Sequence, residues 1–295
     1  MLEKILVPLD GSELSQLALP YPETLSEGLG SEIILLHVCK SGDAQYFHMD
    51  QLYLERISEI ITAHLRQGAK VESVVLSGNP AEEIINYAEE NNIGLLTMAT
   101  HGRSGIKRWV LGSIADKVVR ETTKAVLLIR VKGVNPAVPA ERMLNKVVVP
   151  LDGSDVSEVV LPYIEEVASK LKARVALLQV VVPTHYTTEA GPARVQYSEK
   201  EINHLKAKAR DYLEKAAARL KSKGVAITFE VAVGEASEEI VKFADRTNAD
   251  LVAMATHGWS GFNRLFLGSV ADHVLHTGKR PLLIVKPLQA TTKTQ

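Results

Sequence analysis

The chain has 295 residues, of which 46% are hydrophobic and 23% charged, so its size and composition suit two globular domains. Its net charge of −1 gives no general attraction to nucleic acid or to an acidic membrane, and no apolar run approaches the roughly 20 residues that cross a bilayer. Cys39 is the only cysteine and no signal peptide is evident, so we expect a cytoplasmic protein without internal disulfides.

The first half of the chain predicts short apolar strands that alternate with helices. The strands are expected at residues 5–8, 33–38, a run ending at Gly78, 94–99 and 126–131. Ser12 is a predicted N-cap of a helical stretch that ends near Leu29, and a polar helix is expected at 50–66. A further helix begins after Gly78, where Glu82 and Glu83 suit the helix dipole.

The second half predicts the same order of elements. Its strands are expected at residues 147–150, 175–182, a run ending at Gly234, 250–255 and 282–285. A helix at 199–221 begins with a capping-box pattern formed by Ser198 and Glu201. Residues 183–197, rich in Thr, Pro and Gly, are expected to form a loop.

Two segments without periodicity divide the chain. Residues 133–144 are predicted to be a linker and residues 288–295 a polar tail, so the predicted domains are 1–132 and 145–287. Because the strands are continuous apolar runs between helices, each domain is expected to be α/β. Its core would be a Rossmann-like, doubly wound parallel sheet of five strands.

The two halves are copies of one unit. MATHGRSGIKRWVLGSIAD at 98–116 returns as MATHGWSGFNRLFLGSVAD at 254–272, and KILVPLDGS at 4–12 returns as KVVVPLDGS at 146–154. The second copy is longer between Val180 and Gly234. Repetition at the scale of a whole domain indicates tandem domains rather than a solenoid.

The carboxyl ends of the predicted strands carry candidate binding residues, because ligands of open parallel sheets bind there. An Asp after the first strand can bind ribose or adenine groups or help hold a cation. An apolar residue in the second strand suits an adenine face, and a Met in the fourth lines such a pocket or fills the core. The residues are Pro8, Leu9, Asp10, Val38 and Met98 in the first copy, and Pro150, Leu151, Asp152, Val180 and Met254 in the second.

A glycine-containing loop follows the fourth strand in both copies. Gly102 and Gly258 permit close backbone approach or positive φ. A helix is expected to begin at the Gly-Ser pair that follows, where its first amide groups favour a phosphate. The residues concerned are Gly112, Ser113, Ile114 and Ala115, and Gly268, Ser269, Val270 and Ala271.

These motifs resemble those of the universal stress protein family, whose ATP-binding pattern is G-x2-G-x9-G-[ST]. The segments from Ala99 to Ser113 and from Ala255 to Ser269 match it except at the first position, and the V-P-L-D-G-S openings also resemble the family. The resemblance implies adenine-nucleotide binding, strand order 3-2-1-4-5, pairing of the copies through their fifth strands, and a role in stress survival. It also implies ATP as the ligand, Mg²⁺ only as a companion of its phosphates, and a homodimer of tandem chains.

Alanine replaces the first glycine of the pattern in both copies. If this position requires positive φ, Ala99 and Ala255 cost about 1 kcal/mol each relative to Gly. If it requires only a small side chain near the ligand, Ala is tolerated. The sequence leaves both alternatives open.

The two loops differ in charge. The first carries Arg103, Lys107 and Arg108, where the second has Trp259, Asn263 and Arg264, so we predict tighter ATP binding at the first site. The two arginines that match, Arg108 and Arg264, are either phosphate contacts or solvated loop residues. His101 and His257, which precede the loop glycines, are expected to be positional rather than catalytic.

The sequence favours a nucleotide-binding regulatory protein over two alternatives, a nucleotide-free dimerisation or interaction module and a slow ATPase. No Walker-type G-x4-G-K-[ST] loop and no base–nucleophile pair is present, so no catalytic residue is predicted. Nothing in the sequence resembles metal-ligand spacing, since the nine histidines do not cluster with the cysteine, so no metal site is predicted. Cys39 is expected to be a packing residue.

Overall fold

The protein, as seen in a computed structural model, is described over residues 1–39, 44–101, 111–131, 144–187, 193–256 and 267–287. In the first repeat, strands and helices alternate as the sequence predicts. They are β1 Lys4–Pro8, α1 Glu13–Gln16, α2 Pro20–Leu29, β2 Glu32–Cys39, α3 Ala44–His64, β3 Val71–Ser77, α4 Pro80–Glu90, β4 Leu95–His101, α5 Ser113–Glu121 and β5 Ala125–Val131.

The second repeat has the same order with a hairpin added after its second strand. Its elements are β6 Lys146–Pro150, α6 Asp155–Glu158, α7 Leu161–Leu171, β7 Arg174–Val181, β8 Thr184–Thr187, β9 Ala193–Gln196, α8 Glu199–Lys221, β10 Ala226–Val233, α9 Ala236–Arg246, β11 Leu251–Ala255, α10 Ser269–Thr277 and β12 Leu282–Val285. In the parts of the chain listed above, no helix is long and apolar enough to span a membrane.

The two repeats form one ten-stranded sheet. Its order is β10-β7-β6-β11-β12-β5-β4-β1-β2-β3, so each half has the predicted order 3-2-1-4-5. All neighbours within a half are parallel, whereas β5 and β12 pair antiparallel, with Leu282 opposite Leu128. The pairing through the fifth strands is therefore confirmed, and it joins the two predicted sheets into one.

Alternate residues of each strand face opposite layers of helices. In β2, Ile33 and Leu35 pack with Leu54 of α3, while Ile34 and Leu36 pack with Ile84 of α4. Both faces are apolar because both are covered, which explains the continuous apolar runs in the sequence. The same alternation continues to the end of β2, where residues of both faces line the cavity described below.

The Asp-Gly-Ser turn after the first strand is built identically in the two repeats. Asp10 Oδ1 accepts a hydrogen bond from Ser12 N at 3.0 Å, and Gly11 has φ +81°, which a side chain would strain. Ser12 then caps α1, its hydroxyl accepting from Ser15 N at 3.2 Å. The predicted N-cap is confirmed, and the turn directs the chain away from the sheet edge.

Two partly buried cations cross the junction between the repeats. Arg130, in β5, donates from Nη2 to the carbonyl of Val274 in α10 at 2.6 Å. Lys286, just after β12, donates from Nζ to the carbonyl of Arg120 in α5. Each repeat thus supplies a cation to carbonyl groups near the C-terminal end of the other repeat's last helix, where positive charge is favourable.

One prediction of secondary structure is wrong and others shift slightly. Residues 183–197 are not simply a loop, because β8 and β9 pair antiparallel, with Thr184 opposite Gln196. The helix predicted at 50–66 runs from Ala44 to His64, whereas the helix at 199–221 begins and ends as predicted, with its capping box formed. The predicted domain boundaries stay a prediction, since residues 133–143 and the tail 288–295 lie outside the described residues.

Candidate functional site

A cavity of about 640 Å³ lies at the carboxyl ends of the strands in the first repeat. Ligand pockets in proteins span roughly 300–1,000 Å³, so this volume suits a small organic molecule. The structure brings most of the predicted first-copy residues to its wall: Pro8, Leu9, Asp10, Val38, Met98, Ala99, Gly112, Ser113, Ile114 and Ala115. Strand ends and one helix start that are distant in sequence therefore converge on one space.

The second repeat has a cavity at the matching place, but its volume is only about 270 Å³. Its wall includes the matching predicted residues: Pro150, Leu151, Asp152, Val180, Met254, Ala255, Gly268, Ser269, Val270 and Ala271. The first cavity extends to Tyr46 and Asp50 of α3, whereas the residues that line the second include none of α8. The repeats thus share the base of the cavity and differ at this side.

The start of α5 forms one end of the first cavity. Gly112 is the N-cap, at φ −59° and ψ 150°, and it has no side chain to cap the first turn. The equivalent N-cap of α10, Gly268, has φ −57° and ψ 148°. A helix start with a bare N-cap leaves its first amide groups to a ligand anion, and the macrodipole favours negative charge there. The predicted helix starts are confirmed.

The alanines that replace glycine are compatible with the backbone. Ala99 lies in β4 opposite Ile129, and Ala255 lies in β11 opposite Val285, so both have strand conformation rather than positive φ. Of the two alternatives left by the sequence, the structure favours the one in which only a small side chain is needed. Both residues line their cavities.

The aspartates of the Asp-Gly-Ser turns have a structural role and also face the cavities. Asp152 Oδ1 accepts from Ser154 N at 2.9 Å, as Asp10 Oδ1 does from Ser12. Both carboxylates line their cavities. One oxygen thus holds the turn while the group as a whole stays at the wall, where it can accept hydrogen bonds from a ligand.

A cluster that the sequence did not predict lines the added side of the first cavity. His37 Nε2 lies 3.4 Å from Asp50 Oδ2, and the Cys39 thiol donates a hydrogen bond to the same oxygen at 2.6 Å. His37 Nδ1 lies 2.8 Å from the carbonyl of Leu9. Burial, followed by the hydrogen bond to Asp50, raises the pKa of Cys39 to about 11, so the thiol is protonated at neutral pH and is not an activated nucleophile.

The expectation that no histidine clusters with the cysteine is therefore wrong, because His37 lies beside Cys39. A signal was present, because His37 and Cys39 are two residues apart on a strand and so share a face. Other lining residues that sequence reasoning missed come from neighbouring elements. They are Ser15, Leu36, Tyr46, Pro80 and Ile84 in the first repeat, and Ser157, Leu178, Ala236, Ile240 and Thr256 in the second.

Several predicted site residues lie outside the described parts of the chain. His101 ends β4, but its side chain is outside the description. The others are Gly102, Arg103, Arg108, His257, Gly258 and Arg264. The predicted phosphate contacts of the two arginines, and the predicted difference in charge between the loops, therefore stay predictions.

Comparisons with known proteins agree with the repeat and with the fold. The model of the universal stress protein family matches residues 1–130 and 143–286. Universal stress protein MJ0531 of Methanocaldococcus jannaschii is 34% identical over 146 residues, which cover 50% of this chain and 84% of that protein. Universal stress protein Mb2019 of Mycobacterium bovis is 24% identical over 229 residues, covering 75% of this chain and 67% of that protein.

Among solved structures, a universal stress protein from Archaeoglobus fulgidus aligns over nearly the whole chain. The alignment covers 97% of this chain and 99% of that one, with a TM-score of 0.74 and 22% sequence identity. At this identity the match establishes the shared fold, including two repeats in one chain.

Proposed function

This chain belongs to the universal stress protein family, and we propose that it is a regulatory protein that binds an adenine nucleotide, ATP, in the first-repeat cavity. Occupancy of the cavity would alter contacts with a protein partner or with a second copy of the chain. A role in stress survival is part of the same proposal.

The observation that carries the proposal is the convergence of three kinds of group on one cavity. Val38 and Met98 supply an apolar wall for an adenine ring, and the Asp10 carboxylate can accept hydrogen bonds from ribose hydroxyls. The bare start of α5, at Gly112 and Ser113, suits phosphate oxygens. A nucleotide is the ligand class that uses all three groups together, and Mg²⁺ would enter only with its phosphates.

The cavity volumes support a ranking of the two repeats. The first cavity, at about 640 Å³, is within the range of known ligand pockets, and the second, at about 270 Å³, is below it. We therefore infer that the first repeat binds ATP more tightly. This ranking agrees with the one predicted from the loop charges, but it depends on independent residues.

A homodimer of tandem chains is also part of the proposal. Because β5 and β12 already pair within one chain, a dimer must form through other surfaces. Chain association in the presence and absence of ATP is therefore a measurement separate from nucleotide binding.

The first test is to purify the chain without added nucleotide, denature it and identify any released nucleotide by chromatography, with moles counted per chain. About one ATP or ADP per chain would support unequal sites, and about two would contradict the ranking. If none is released, ATP titration by calorimetry follows. A chain that also showed no heat of binding would overturn the proposal in favour of an interaction module without nucleotide.

A further inference from the structure

Three side chains of the first repeat present a nitrogen, a sulfur and an oxygen to one point. The candidate ligand atoms of His37, Cys39 and Asp50 all lie within 4.8 Å of one another. Cys39 is buried, and His37 and Asp50 are partly buried at the cavity wall. This combination of donors is different from the surface acidic groups that often lie together without a function.

The fold explains why these residues meet. His37 and Cys39 continue the face of β2 on which Ile33 and Leu35 pack against α3. Asp50 is one turn before Leu54, a residue of α3 that is buried against the same strand. Strand alternation and helix periodicity together bring one carboxylate beside one imidazole and one thiol, at the level where the sheet ends and the cavity begins.

The histidine is oriented as metal-bound histidines are. Its Nδ1 lies 2.8 Å from the carbonyl oxygen of Leu9, which requires a proton on Nδ1, so Nε2 is the ring nitrogen that can bind a metal ion. That Nε2 faces Asp50. Metal-binding histidines commonly donate the other ring N–H to a backbone carbonyl or carboxylate, which fixes the tautomer and the ring orientation.

We propose that His37, Cys39 and Asp50 form a binding site for a divalent transition metal, Zn²⁺ in particular, at the wall of the first cavity. Zn²⁺ takes imidazole, thiolate and carboxylate ligands in tetrahedral geometry, and sites with three protein ligands leave the fourth position to water or to another ligand. Here the fourth position faces the cavity, because all three residues line it.

The distances require only small movements. On a tetrahedral Zn²⁺ with bonds of about 2.0–2.3 Å, ligand atoms lie roughly 3.2–3.7 Å apart. The separation of 3.4 Å between His37 Nε2 and Asp50 Oδ2 is already in this range. Cys39 Sγ, at 2.6 Å from the same oxygen, must move about 1 Å farther from it. The Asp50 side chain can make this movement because it is 27% exposed.

The second repeat lacks all three ligands. Gln179 and Val181 occupy the places of His37 and Cys39, since β7 repeats β2 residue by residue. The tyrosines align α3 with α8. Tyr53 hydrogen-bonds Gln16 in the first repeat, and Tyr212 hydrogen-bonds Glu158, the equivalent residue of the second.

This match puts Ala209, which is buried on α8, at the place of Asp50. The proposed metal site therefore belongs to the first repeat alone. The variants His37→Gln, Cys39→Val and Asp50→Ala therefore each introduce the residue that the second repeat has at the equivalent position.

The test is a titration of the full-length chain with Co²⁺ in metal-free buffer without nucleotide. We expect a thiolate-to-Co²⁺ charge-transfer band that saturates at one Co²⁺ per chain and is displaced by Zn²⁺, which binds more tightly. Cys39→Val should abolish the band. His37→Gln and Asp50→Ala should each weaken Co²⁺ binding at least tenfold. Loss of a residue that only supports a metal ligand already lowers metal affinity by about tenfold or more, and these residues are proposed as ligands themselves.

His204→Gln is the matched control, because His204 is exposed on α8 and far from the cluster in sequence, and it should leave the band unchanged. Absence of the band, or an unchanged affinity in His37→Gln, would overturn the proposal.

A second readout needs no variant. As the chain has one cysteine, alkylation reports on Cys39 alone, and Zn²⁺ should slow it at least about tenfold, as a thiolate held by metal is withdrawn from reaction. An unchanged alkylation rate at saturating Zn²⁺ would equally overturn it.

Discussion

The two repeats have the same order of strands and the same turns, yet their cavities differ. Both begin with a Pro-Leu-Asp wall and end at a helix start capped by glycine. The first cavity extends to α3, where Asp50 meets His37 and Cys39, and its volume is about 640 Å³ against about 270 Å³ in the second. The repeats differ at one side, both in the side chains that line the cavity and in the β8–β9 hairpin that precedes α8 in the second repeat.

The two repeats share the groups that form the turn and the helix start, and they differ in the groups that line one side of the cavity. Asp10 and Asp152 are held by the same hydrogen bond in both repeats. In contrast, the histidine of the first repeat is replaced by Gln179, whose buried Oε1 accepts no hydrogen bond from the described part of the chain. The two sites are therefore expected to be unequal in what they bind.

The largest predicted change is in ATP affinity, and it tests whether the two cavities bind ATP unequally. Ala99→Leu adds bulk to the first cavity, and Ala255→Leu adds the same bulk to the second. We expect Ala99→Leu to weaken ATP binding at least tenfold, because one overlap at the ligand costs more than about 1.4 kcal/mol. Ala255→Leu should leave the tighter ATP affinity nearly unchanged. Calorimetric titration of both variants measures the difference.

Thermal unfolding of the two leucine variants is the control, since added methylene groups in a packed region cost roughly 1–3 kcal/mol by themselves. The comparison holds only if both variants remain folded at the temperature of the titration. Equal loss of affinity in the two variants would show that the cavities contribute equally, against the ranking.

A second prediction compares a matched tyrosine on α3 with its counterpart on α8. Tyr212 donates a hydrogen bond of 2.8 Å to the Glu158 carboxylate, whereas Tyr53 accepts one of 3.2 Å from the neutral amide of Gln16. Hydrogen bonds to ionised groups are roughly twice as strong. Tyr212→Phe should lower the free energy of unfolding by about 1.5 kcal/mol, and Tyr53→Phe by about 0.5–1 kcal/mol.

Urea denaturation of both tyrosine variants gives these values from the shift of the midpoint at constant slope. The substitutions are matched, as each removes one hydroxyl and keeps the ring. Tyr53 also packs its ring edge-on to His37 at 6.3 Å, a contact that Phe retains. A larger loss for Tyr53→Phe than for Tyr212→Phe would contradict the prediction.

The parts of the fold that the sequence predicted are those with local signals. The Asp10-Gly11-Ser12 turn combines a carboxylate acceptor, a glycine at positive φ and an N-cap within three residues. The helix at 199–221 has a complete capping box at its start, and its predicted bounds are those observed. Continuous apolar strands between helices predicted the parallel sheet, and the strand order was implied by the family resemblance.

The parts that were missed depend on tertiary structure or lack a clear local pattern. The hairpin of β8 and β9 lies in a segment whose Thr, Pro and Gly content is typical of loops, and its pairing joins residues on either side of the turn. The cluster at the first cavity needs a strand and a helix to be packed together before Asp50 is close to Cys39. The sequence spacing alone gives no distance between them.

The smallest expected effect concerns the two cations that cross the repeat junction. Burial lowers the pKa of Arg130 to about 10 and that of Lys286 from its ordinary 10.5 to about 8. Of these two cations, Lys286 is the one that titrates near pH 8. Between about pH 8 and 10.5 the unfolded chain binds more protons at this lysine than the folded chain, so this residue makes stability rise with pH across that window.

Lys286→Met should remove this rise, since methionine does not titrate. The amine is partly solvated, so the difference between variant and wild type should change by under about 1 kcal/mol between pH 8 and pH 10. Lys242→Met is the control, because Lys242 is exposed and its pKa is raised by Glu239 and Glu238, which places its titration above the window. Urea midpoints at pH 8, 9 and 10 measure the effect. A rise that persists in Lys286→Met would assign it to other groups, and the junction would then be held by a lysine that remains charged across this pH range.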